Sequence, residues 1–105
     1  MGTGVRTQFR SFAEFYPYYL SEHQHPVCRR LHFAGSLIVL ALLIASFVLA
    51  RPMLILWTPV AGYGLAWIGH FAFEHNRPAT FRHPLYSFMG DWVMFRDMLL
   101  GKIPL

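Results

Sequence analysis

The stretch FAGSLIVLALLIASFVLA, Phe33 to Ala50, carries no charged side chain, and a second uncharged run from Met53 to Phe73 follows it directly across Arg51-Pro52. The runs are 18 and 21 residues long. As helices rising about 1.5 Å per residue they reach about 27 and 31 Å, close to the thickness of a hydrocarbon core. Apolar residues make up 55% of the 105-residue chain and charged residues only 13%. That is more apolar surface than one soluble domain of this size can bury. An ordinary soluble globule and a disordered chain are excluded, and a single cysteine, Cys28, excludes an internal disulfide. The first run starts too far along the chain for a cleaved signal peptide, so it is expected to persist as a span.

The charges orient this hairpin. The net charge is +4, but the basic residues form no patch suited to nucleic acid. Arg6, Arg10, Arg29 and Arg30 precede the first run, Arg77, Arg82, Arg96 and Lys102 follow the second, and Arg51 alone lies between them. By the positive-inside rule both termini face the cytoplasm, which implies a multi-pass membrane protein. The fold class expected is therefore an all-α membrane protein, a two-span transmembrane hairpin (33–50 and 53–73) flanked by two amphipathic interfacial helices. Residues 1–10 form a flexible lead to a single domain over 11–105.

The flanking helices show in periodicity. Ser11 with Glu14 is a capping-box pair, and Phe12, Tyr16, Tyr19 and His23 follow at helical spacing, with a kink expected at Pro17. Pro26 opens the next helix. In the second span Pro59 should cause a bend, and Gly62, Ala66 and His70 form a stripe that turns His70 toward protein. Residues 74–80 read as an irregular connector. A last helix starts at Pro84 with Leu85, Phe88, Trp92, Phe95 and Leu99 as its apolar stripe.

Six histidines are present, and two of them share a depth. His32 and His70 each lie nineteen residues from Arg51, so an antiparallel hairpin sets them at one level near the cytoplasmic ends. His23 reaches that level from the first helix, and Glu74 projects one turn beyond His70. Imidazoles with a carboxylate at a span's rim suit a non-haem iron or a similar divalent metal. A single histidine at a membrane edge is more often bonded to a carbonyl or headgroup, and it is the coincidence of depth that favours a shared site. His25 and His75 read as surface residues. His83 either caps the last helix or adds a ligand. Arg29, three residues before His32, and Arg77 are placed to hold a carboxylate, although arginines here also serve as headgroup anchors.

The segments Tyr19-Leu20-Ser21-Glu22-His23, Arg29 through His32-Phe33-Ala34-Gly35, and Gly69-His70 through Glu74-His75-Asn76-Arg77-Pro78 together resemble a small membrane family, that of the yeast phytosphingosine-metabolism 2-hydroxy fatty acid dioxygenase, in its compact bacterial branch. The resemblance implies an Fe(II)-dependent enzyme of the bacterial inner (cytoplasmic) membrane that shortens 2-hydroxy long-chain fatty acids by one carbon with O2. It places the metal on His23, His32 and His70 with the accompanying carboxylate on Glu74, and His83, from its position before Pro84 alone, is a further candidate ligand. Glu74, Arg29 and Arg77 are the implied catalytic residues, the acyl chain lies among the apolar helices, and the implied partners are membrane lipid, the hydroxy acid and O2, with a homo-oligomer left open. Two other readings stand beside it. One is a bis-histidine haem electron carrier using His32 and His70, which a Soret band would reveal; the other is a cofactor-free membrane interaction protein.

Overall fold

A computed structural model describes residues 8–105, and of the lead expected over residues 1–10 the first seven lie outside the described residues. Among the described residues the chain is all helical, with two segments long and apolar enough to cross a membrane, Pro26–Val48 and Pro52–Glu74. Four α-helices are joined by tighter and wider turns: α1 (Phe12–Ser21), α2 (Pro26–Val48), α3 (Thr58–Ile68) and α4 (Pro84–Leu99).

Local chemistry explains these boundaries. Ser11 is extended and its Oγ accepts the Glu14 N–H at 3.2 Å, while the Glu14 carboxylate accepts the Arg10 N–H at 3.0 Å. The reciprocal arm of the capping box thus reaches one residue further back than the usual pattern. Pro17 sits inside α1, which continues through it to Ser21. Pro26 occupies the first turn of α2, where its missing N–H costs nothing, and the His25 Nδ1 caps that helix by accepting from Val27 N–H at 3.1 Å. After Arg51 the chain makes a 3₁₀ turn, Pro52–Trp57, before α3 begins. Pro59 therefore falls in the first turn of an α-helix, where proline is tolerated, directly after the change of helix type.

α2 and α3 lie side by side as the two arms of a hairpin. Their close approach depends on small residues. A Cβ on Gly69 would lie 3.0 Å from the Cys28 Sγ and 3.1 Å from the Cys28 Cα, so a larger residue there would push the arms apart. The outer faces of the arms stay apolar and uncovered: Ile44, Phe47, Val48, Leu56 and Val60 are all exposed. A continuous surface of this kind marks contact with lipid or another apolar partner.

The packed core lies at the other end, between α1 and α4, around Phe15, Tyr19, Met94 and Met98. Phe15 and Tyr19 are fully buried, and Phe12 packs partly buried against them. Phe9 packs against Phe15, with ring centroids 5.3 Å apart, so the last part of the N-terminal lead belongs to the core. On α4 the buried face is Ser87, Gly90, Met94, Phe95 and Met98, whereas Leu85, Phe88 and Leu99 point outward. Of the expected stripe Phe95 is buried and Trp92 half-buried, while Leu85, Phe88 and Leu99 lie on the outer face, because Gly90 and the flexible methionines fit the crowded aromatic side better than leucine does. Two tyrosines tie the helices together. Tyr16 donates to Asp97 Oδ2 at 2.8 Å, and Tyr19 donates to Asp91.

Gly90 is the tightest point of this contact. A Cβ there would lie 2.8 to 3.1 Å from three atoms of the Tyr19 ring, and that ring is itself stacked on His23 at 3.9 Å. Gly90→Ala should therefore destabilise the protein by about 1–3 kcal/mol through overpacking, read as a lowered Tm in thermal unfolding of the reconstituted protein. Gly64→Ala, where a Cβ meets nothing within 4 Å, should leave Tm unchanged or slightly raised.

Candidate metal centre

Three imidazoles converge where α1 ends, α2 begins and α3 runs out. His23, His32 and His70 are all buried, and one ligand atom from each lies within 4.8 Å of the others. The rings meet edge to face, with centroids 4.5 Å (His23–His32), 4.4 Å (His23–His70) and 5.0 Å (His32–His70) apart.

Each ring is fixed from behind by its Nδ1. His23 Nδ1 lies 2.6 Å from the Tyr19 carbonyl, and His32 Nδ1 lies 2.9 Å from the Cys28 carbonyl, each four residues back along the chain. His70 has a different partner, the Asn76 side-chain Oδ1 at 2.6 Å. The two backbone carbonyls can only accept, so those Nδ1 atoms carry the proton. Asn76 is oriented the same way, because its Nδ2 donates to the Glu22 carbonyl at 3.1 Å and so leaves Oδ1 toward the ring. All three Nε2 atoms are consequently lone pairs. His23 Nε2 and His32 Nε2 nonetheless lie 3.1 Å apart, with no proton to share between them. Lone pairs gathered in this way fit a cation, and backbone or amide acceptors on the far nitrogens are what orient metal-binding histidines. Burial, reinforced by the two neighbouring imidazoles, holds the His23 pKa well below its ordinary range. The ring is therefore neutral at physiological pH, and no proton needs to leave for a metal to bind.

Backbone geometry delivers His70. The chain from Gly69 to Glu74 is a π-helix closed by His75 in the left-handed conformation (φ 59°), and the Asn76 N–H returns to the His70 carbonyl at 3.1 Å. The wider turn brings Asn76 back beside His70, where a continued α-helix would carry it away. Such π segments recur at functional sites.

The remaining candidates are placed elsewhere. Glu74 accepts from the His25 backbone N–H at the start of α2, and the hydrogen bond to the His70 ring is made by Asn76. Arg29 Nη1 donates to the Gln24 carbonyl at 2.7 Å and the His23 carbonyl at 3.4 Å, bracing the link between α1 and α2. Arg77 is exposed. His83 precedes α4 and packs against Phe9, Phe15 and Tyr18, in the aromatic core and apart from the imidazole cluster. His25 is half-buried and caps α2, while His75 is exposed. A haem between His32 and His70 has no room, since His23 lies edge-on within 4.5 Å of both rings.

Three residues beyond those singled out in the sequence belong to this centre. Asn76 is one. Asp91 faces the cavity beside the imidazoles and accepts the Tyr19 hydroxyl, and burial pushes its carboxyl up to about 7. Trp67 lines the same cavity, and its buried indole N–H has no hydrogen-bond partner among the described residues. A single buried donor of this kind calls for an acceptor.

Fold and site together define a small all-helical protein with a buried three-histidine cluster suited to a metal ion. Residues 9–103 match the Mpo1-like family, described as 2-hydroxy-palmitic acid dioxygenase Mpo1-like, and the chain belongs to that family. No curated protein and no solved structure matches it.

Metal affinity should respond to Asn76 more than to Glu74. Asn76→Ala frees the His70 ring and should weaken Co(II) binding by about 10- to 100-fold, the usual effect of removing an orienting partner. Glu74→Gln keeps an acceptor for the His25 N–H and should stay within a few-fold of the parent. Titration followed by the visible absorption of Co(II) measures both.

Proposed function

We propose that this protein is an Fe(II)-dependent membrane dioxygenase that shortens 2-hydroxy fatty acids by one carbon. The observation that carries this reading is the convergence of three neutral imidazoles, in a chain whose family is described by a 2-hydroxy acid dioxygenase activity. An all-imidazole donor set suits zinc, iron, copper or nickel. Oxygen chemistry needs a redox metal, which zinc is not, and iron satisfies both requirements. When bound, ferrous iron supplies the redox chemistry that couples O2 to cleavage of the C1–C2 bond. The reaction balances as one hydroxy acid plus one O2 giving the acid one carbon shorter, CO2 and water.

The protein's own groups handle the headgroup. Three neutral ligands leave the metal's full positive charge uncompensated, which favours an anionic ligand such as a 2-hydroxy carboxylate. Asp91, at the edge of the site, accepts the substrate's 2-hydroxyl, and Tyr19 holds that carboxyl in place. The Trp67 indole N–H donates to a substrate oxygen. Arg29 keeps the His23 backbone in register, and Arg77, next to the Asn76 that orients His70, is the cation for the carboxylate. The two apolar segments cross the bilayer with both termini cytoplasmic, so the headgroup meets the site at the membrane rim while its chain stays in the apolar phase.

Protein purified anaerobically, loaded with Fe(II) and reconstituted in lipid nanodiscs should consume O2 and release CO2 from 2-hydroxypalmitate labelled at C1. The fifteen-carbon acid should appear in equal amount. Alanine at His23, His32 or His70 should abolish all three signals. Asp91→Asn should keep the iron and slow turnover by about 10²-fold, the lower range for a lost proton acceptor. Turnover that survives loss of any one histidine, or absence of CO2 with wild-type protein, would overturn the proposal.

A further inference from the structure

A larger cavity of about 260 Å³ adjoins the imidazole cluster between α2, α3 and α4. Its α2 wall is His32, Ser36 and Val39, four and three residues apart on one helical face, and its α3 wall runs from Ala66 through Gly62 to Thr58. Both walls therefore extend along the helix axes, from the level of the histidines toward the Arg51 turn. The seven helical steps from His32 to Val39 and the eight from Thr58 to Ala66 correspond to about 10 and 12 Å at the helical rise. The inner end is continuous with the metal site, because His32, Tyr63, Ala66 and Asp91 line both cavities. A Cβ on Gly62 would sit 3.2 Å from Val39 Cγ2, so the missing side chain keeps the cleft passable at mid-depth.

We infer that this cleft receives the first part of the substrate's alkyl chain, and that Val39 and Thr58 mark the depth at which the chain leaves the protein for the lipid. The inference rests on the proposed activity and adds the path of the chain. An alkyl zigzag of about 1.5 Å bonds at near-tetrahedral angles advances about 1.25 Å per carbon, so the cleft holds roughly eight to ten carbons beyond the headgroup. The chain comes from a bilayer that is already apolar, so entering the cleft gains shape fit and little hydrophobic energy. Length selection is accordingly steric. A side chain that closes the far end should exclude long acids and spare short ones.

Photolabelling maps the path without requiring turnover. The probe is 2-hydroxypalmitate with a diazirine at C10, applied to the metal-loaded protein in nanodiscs, with and without excess unmodified 2-hydroxypalmitate. Labelling that the competitor removes should fall on Val39, Thr58, Pro59 or Gly62. Val39→Phe should reduce it by about tenfold, the scale of overfilling a packed site, and Gly62→Ala should reduce it less. Val60→Phe, on the exposed outer face, should change nothing, and circular dichroism confirms that each variant is folded. Competed labelling confined to outer-face residues such as Ile44 and Phe47, or unchanged in a folded Val39→Phe variant, would overturn the cleft while leaving the proposed activity standing. Absence of any competed labelling in the wild type would instead count against 2-hydroxy acid binding itself, and so against both.

Discussion

Three lone pairs held at one point constrain the rest of this structure. Each imidazole donates its Nδ1 proton to a fixed acceptor and turns its bare Nε2 inward. Each comes from a different part of the chain: His23 just past α1, His32 in the first turns of α2, and His70 in the π segment that follows α3. No single helix could bring three imidazoles together at this spacing. The hairpin, its small-residue contact and the docking of α1 all serve that convergence.

The supporting parts are connected through Tyr19. Its ring stacks on His23, its carbonyl receives the His23 Nδ1–H, and its hydroxyl reaches Asp91 on α4. One buried residue thus couples the aromatic core between α1 and α4 to the imidazole cluster, and it places a carboxyl where the imidazole cavity opens into the cleft. On the opposite side Asn76 bonds to both His70 and the Glu22 carbonyl, joining the end of the second apolar segment to the end of α1. Rigidity of this kind lets neutral imidazoles stay in close mutual contact without the rings rotating away.

Much of this arrangement is legible in the sequence. The two uncharged runs define the hairpin, and equal distance from Arg51 pairs His32 with His70, because depth in an antiparallel pair is simple counting. The i, i+4 bonds behind His23 and His32 follow from ordinary helix geometry. What periodicity does not reveal is the switch of helix type. The π segment at Gly69–Glu74 has no signature in apolar spacing, and through it Asn76, six residues on, becomes the partner of His70 while Glu74 turns to the His25 N–H. α4 also has apolar residues on two faces, and choosing between them depends on the Tyr19 ring fitting over Gly90, a tertiary contact that its own sequence does not record. Asp91 and Trp67 are unremarkable on their helices and gain meaning only beside the cluster.

The central claim is that all three imidazoles bind one ferrous ion through Nε2. X-ray absorption of the Fe(II)-loaded protein tests this most directly, since the outer-ring carbon and nitrogen shells of coordinated imidazole are distinctive. The account predicts three imidazole ligands at about 2.1 Å, by analogy with metal–histidine bonds generally, with the remaining positions filled by light oxygen donors. One or two imidazoles, or a thiolate in the first coordination shell, would contradict it.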